Sequence, residues 1–141
     1  RKRKRGEPMR YILTGLAAVA VAGCMEAEMP DAGEGRAAYD ANCAMCHGAG
    51  GKGDGALAQD LSVAPVDLTR LTRDNGGAFP VNRVLSYIDG YKRKAPEAVE
   101  MPEFGLLLEG PSVPVATGEG VFTPTPRPLA ALLAYLESIQ S

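Results

Sequence analysis

Cys43, Cys46 and His47 are the residues of this chain whose types and spacing most directly suggest chemistry. In Cys43-Ala44-Met45-Cys46-His47 two thiols are separated by two residues, and an imidazole follows the second. A Cys-x-x-Cys-His pentad of this kind is the attachment pattern of haem c. Both thiols add to neighbouring vinyl groups as thioethers, and the adjacent histidine supplies a ring nitrogen to the iron. Rival uses of the pentad fit the chain less well. A structural zinc site takes four ligands, usually Cys and His, and the chain offers only Cys24, Cys43, Cys46 and His47. A thioredoxin-like redox pair wants a βαβ pattern around it, and no such run of apolar strands is present. A disulfide between Cys43 and Cys46 is compatible with an oxidising compartment, but it leaves His47 without a role.

The elements that must position these groups are helical. Gly35, Tyr39 and Cys43 recur at a spacing of four, one face of a helix running into the pentad. Val81, Val84, Leu85 and Ile88 repeat the pattern between Pro80 and Gly90. Pro128 stands at a helix start, and Leu129, Leu132, Leu133, Leu136 and Ile139 trace a stripe behind it. A helical turn is expected around Asp67 to Arg73. Only brief Val- and Pro-rich pieces near Pro111 to Ala116 hint at extended chain. Residues 34–141 have the length of one domain, read as all-α. With 17 Gly and 11 Pro the chain is loop-rich. A buried haem would add apolar contact, at about 25 cal/mol per Å² of apolar surface.

Here the residues resemble class I cytochrome c. Gly35-x-x-x-Tyr39-x-x-x-Cys43-x-x-Cys46-His47 looks like that family's N-terminal helix and haem site. Leu132-Leu133-Ala134-Tyr135-Leu136 looks like its C-terminal helix, and Gly51-Lys52-Gly53-Asp54-Gly55 and Pro65-Val66-Asp67-Leu68-Thr69 look like bacterial members. The resemblance implies crossed N- and C-terminal helices with loops wrapped around one covalent haem c. Gly35 then permits close approach, and Tyr39 packs near Leu132 and Tyr135. It also implies a second axial ligand to the iron. His47 is the only histidine, Met45 lies between the two cysteines, and Met9, Met25 and Met29 precede the domain. That leaves Met101, in Glu100-Met101-Pro102-Glu103-Phe104, which resembles the family's distal-ligand loop; a core gap-filling role is the alternative. The family implies a proline carbonyl holding the other nitrogen of His47, with Pro65 as the candidate. Arg70, Arg73, Tyr87 and Tyr91 are candidate propionate partners.

The chain's start reads as an export signal. Five basic residues at 1–5, with Arg10, precede the apolar run from Ile12 to Gly23. That run is shorter than the ~20 apolar residues of a membrane span. Met9 is a candidate start, which would make residues 1–8 upstream sequence. Val21-Ala22-Gly23-Cys24 resembles a bacterial lipobox, which implies a lipid on Cys24. Residues 1–23 are thus expected to be a lipoprotein-type signal, 24–33 a flexible tether, and 34–141 the cytochrome c domain. Cleavage before Cys24 leaves 9 basic and 16 acidic residues, a net charge of −7. That balance argues against nucleic acid and for a protein partner with a basic face. Lys92-Arg93-Lys94 is a local exception, read as a solvated turn or a docking spot.

The resemblance implies an electron carrier, not an enzyme. It would be membrane-anchored on the periplasmic side, or soluble there without the lipid, with redox proteins as partners and no small-molecule substrate. A haem subunit of a fixed membrane oxidoreductase complex is the alternative, and a gas-binding sensor or peroxidase a more distant one. The Pro- and Gly-rich segment 106–127 is expected to wrap one haem edge or, in a complex, to bind a partner.

Overall fold

Asp31 starts the first helix: its carboxylate accepts a hydrogen bond from the Glu34 amide at 2.8 Å, satisfying a donor that the helix start would otherwise leave unpaired. Helix α1 (Ala32–Asn42) follows, and buries Gly35 and Tyr39. A single turn, α2 (Ala44–His47), continues it beyond Cys43. The computed structural model describes residues 28–90 and 101–141. After α2 the chain passes through 3-10 turns at Ala58–Asp60 and Leu68–Arg70, then α3 (Leu71–Asp74) and α4 (Val81–Asp89). Strands β1 (Ser112–Gly118) and β2 (Val121–Pro126) lead into α5 (Arg127–Ser138).

The core forms where α1 and α5 cross. A methyl group at Gly35 would overlap the carbonyl of Ala131, so only glycine allows this backbone approach. One turn further on, Tyr39 is fully buried, with its ring centroid 5.0 Å from that of Tyr135 in a tilted pair. Leu132 beside them is 1% exposed. The periodicity of α5 is thereby explained: Leu129, Leu132, Leu133 and Leu136 face the core, and Pro128 sits in the first turn, where its missing N–H costs nothing. Helix α4 contributes Val84 and Ile88, four residues apart, to the same cluster.

The all-α expectation is corrected by the segment before α5. β1 and β2 form an antiparallel hairpin, with Val113 opposite Thr125 and Val115 opposite Thr123. Val113, Val115 and Thr125 are buried, so one face of the hairpin rests on the core. The hairpin base is closed by the Arg127 amide donating to the Pro111 carbonyl at 2.9 Å.

The expected tether is also shorter on its C-terminal side. Pro30 is buried and α1 begins at Ala32. Arg127 pairs with both carboxylate oxygens of Glu34, at 2.7 and 3.1 Å, and also donates to the Glu28 carbonyl. The signal-type segment, Cys24, Tyr91 and Lys92-Arg93-Lys94 lie outside the described residues. Among those residues no helix is long and apolar enough to cross a membrane.

Candidate haem site

Cys43 ends α1, its amide donating to the Tyr39 carbonyl at 2.8 Å. The chain then makes one more helical turn, closed by His47 N–H to the Cys43 carbonyl at 2.9 Å. On a helix, residues three and four apart share a face. The turn therefore gathers Cys43, Cys46 and His47 on one side and leaves Met45, 60% exposed, on another. Its end carbonyls, which a helix terminus leaves without partners, are satisfied by the glycine-rich loop. Gly53, Gly55 and Leu57 donate to the carbonyls of His47, Cys46 and Met45 at 2.9, 3.1 and 3.0 Å. The Tyr39 hydroxyl donates to the next carbonyl, that of Gly48, at 2.6 Å. The Gly51–Gly55 run is thus a brace for the helical turn. Gly53, at φ 79°, lies so close to the Pro65 carbonyl that a side chain would overlap it.

Nδ1 of His47 stands 3.3 Å from the Val66 carbonyl. A carbonyl only accepts, so Nδ1 carries the proton and Nε2 of the neutral ring keeps its lone pair. Burial holds the imidazole below its usual pKa, and the Val66 carbonyl partly offsets that. The expectation that Pro65 supplies this carbonyl is corrected by one residue. The Pro65 carbonyl lies against Gly53, and the carbonyl that meets His47 is that of Val66. The Pro65 ring still lines the cleft described next.

That cleft has a volume of about 240 Å³. Cys43, Cys46, His47 and Met101 all border it, with Leu61, Val63, Val66, Tyr87 and Phe104 among the other walls. Sequence reasoning missed the apolar walls at 61–66, where Leu61, Val63 and Val66 make an unusually aliphatic loop. Val63 and Val66 are 57% and 61% exposed, so apolar surface lines the cleft without being buried by the protein itself. A flat apolar group held through two sulfurs fits such walls. Zinc does not: no cluster of three or more His, Cys, Asp or Glu suited to a metal occurs among the described residues. Nor are the two thiols joined as a disulfide. Burial, followed by the neighbouring Cys46, pushes the Cys43 thiol up to about 11, so it stays protonated and is a weak thiolate donor.

The propionate candidates separate. Tyr87 borders the cleft, whereas Arg70 and Arg73 pair with Asp74, at 4.0 and 3.0 Å, away from its walls. Among the described residues, none that borders the cleft comes from 106–127; that segment contains the hairpin.

Crossed helices, a Cys-x-x-Cys-His turn and an apolar cleft define a cytochrome c domain. Residues 30–107 match the family described as cytochrome C oxidase, cbb3-type, subunit III, and the chain belongs to it. Membership implies a covalently bound haem c and electron transfer. The match spans the helical turn and Met101 and ends before the hairpin and α5. No curated protein and no solved structure matches the chain.

Proposed function

We propose that the chain is a monohaem c-type cytochrome that passes single electrons between respiratory redox proteins. Cys43 and Cys46 would hold the haem, and His47 and Met101 would ligate its iron. The observation that carries this reading is the convergence of the helical turn and Met101 on one apolar cleft. Haem c, when bound, supplies a one-electron Fe(III)/Fe(II) couple.

The residues around it do the rest. His47 offers a neutral ring whose orientation is fixed by the Val66 carbonyl. Met101 offers a soft thioether that favours the reduced state relative to a second imidazole. With both bound, no position would be left for an outside ligand, so electrons would cross without a bound substrate. The apolar walls from Leu61, Val63 and Phe104 would lie against it and keep the surroundings alike in both oxidation states. Cys24, if acylated, tethers the domain to the periplasmic side of a bacterial membrane; without acylation it is soluble there.

A second reading is favoured by the family's name. A haem subunit of a membrane oxidase would use the same site but stay fixed to its partners. Co-purification with other subunits at constant stoichiometry selects that reading, and isolation as a free monomer selects the mobile carrier.

Met101→Ala tests the site. The variant is expected to lose the native reduced spectrum, fall in potential and bind carbon monoxide when reduced. A spectrum and potential identical to the parent's rule Met101 out as a ligand.

A further inference from the structure

Gln140, which follows α5, lies on no wall of the cleft, yet it uses three of its four amide hydrogen-bonding capacities. Its Nε2 donates to the Leu68 carbonyl at 2.8 Å and to the Leu136 carbonyl at 2.6 Å. Its Oε1 accepts from the Thr72 amide at 2.8 Å. The next residue continues the join: the Ser141 amide donates to the Thr69 carbonyl at 2.9 Å. The Leu136 bond belongs to the helix and satisfies one of the carbonyls left over at its end. The other three reach across to a single stretch, residues 68–72.

That stretch begins two residues after Val66, whose carbonyl accepts from His47. Only Asp67 lies between, and Asp67 is itself held, accepting from the amide and hydroxyl of Thr69 at 2.9 and 2.6 Å. The Leu68 amide donates to the Gly51 carbonyl at 2.7 Å, which ties the stretch back to the brace beneath the helical turn. His47 is thus held twice. Its backbone belongs to α2, carried by α1, which is locked on α5 at Gly35 and Tyr39. Its Nδ1 is held by Val66, and the segment that carries Val66 is locked on the end of α5 through Gln140.

We propose that Gln140 is a positioning residue for the axial histidine: its side-chain amide fixes the 68–72 segment to α5 and so sets the strength of the His47 Nδ1–H to Val66 hydrogen bond. The proposal deepens the haem reading given above and rests on it. A strong bond at Nδ1 makes the imidazole a more basic ligand and stabilises Fe(III); slackening it raises the potential.

The test uses the full chain with its haem attached, comparing the parent with Gln140→Glu and Gln140→Met. Glu keeps the acceptor for Thr72 but loses both donors, and sets a carboxylate against two carbonyls. Met keeps the length and loses every bond. Midpoint potential and the paramagnetically shifted ring-proton resonances of His47 are read beside thermal stability. The expected result is an upward shift of potential with moved His47 resonances in both variants, while Cys-linked haem content stays at the parent's level. If either variant fails to accumulate, the other suffices, because each removes the bond to Leu68. Unchanged potential and His47 resonances, with only the melting temperature lowered, would reduce Gln140 to a structural part and overturn the proposal. A parent protein without covalent haem overturns the underlying reading with it; a parent with haem and silent variants overturns the positioning role alone.

Discussion

At the scale of single residues, the chemistry rests on the side chains that one helical turn and Met101 bring to a single cleft. Cys43, Cys46 and His47 declare themselves by spacing, because thioether formation and iron ligation tolerate few other arrangements. Met101 stood out by elimination and by its Met-Pro context, and the structure brings it to the same cleft. The acceptor for His47 was placed one residue early, since a carbonyl has no side-chain signature and its direction depends on the local backbone. Tyr39 illustrates how a residue assigned to the core also does polar work. Burial is the main cause that raises its phenol above the usual value, so the hydroxyl stays a donor to the Gly48 carbonyl. Tyr39→Phe is expected to leave that carbonyl without its partner and to cost about 1–3 kcal/mol. Denaturant unfolding of the haem-loaded protein measures it, and a midpoint equal to the parent's would show that water replaces the hydroxyl at no cost.

At the scale of elements, the helices were legible because each carries a periodic apolar stripe and end signals, as with Asp31 before α1 and Pro128 in α5. The hairpin was not. Pro114 and Pro124 fall opposite one another within it, and proline in a strand pattern ordinarily argues against a strand. In a sheet of only two strands both are edges, so a missing N–H can face outward without breaking the ladder. Only Val113 and Val115 alternate inward on β1, too short a run to stand out. The crossing of α1 and α5 makes the clearest prediction at this scale. Gly35→Ala forces the helices apart at the Ala131 carbonyl, and the loss should reach the upper part of the about 1–3 kcal/mol typical of overpacking. Thermal unfolding followed at the haem absorption would report it. Wild-type stability would mean that the two helices do not approach this closely.

At the scale of the whole molecule, a small loop-rich chain is organised around one pair of crossed helices, with the helical turn and its cleft built on one of them. The helical core was legible within residues 34–141, whereas the contacts made by Glu28 and Glu34 were not, because both come from Arg127, far along the chain. Charge acts at this scale too: the proposed cleavage before Cys24 would leave a net −7, which favours docking on basic surfaces. Anchoring through Cys24 predicts that Cys24→Ser moves the protein from the membrane fraction to the soluble fraction, and retention in membranes would count against the lipid. Everything proposed for this chain depends on one haem held covalently by Cys43 and Cys46. The most direct measurement is acid–acetone extraction, with haem and protein quantified, on chain made alongside haem-attachment machinery. One haem per chain is expected to remain with the polypeptide. A colourless protein, or pigment that passes into the solvent, would contradict it.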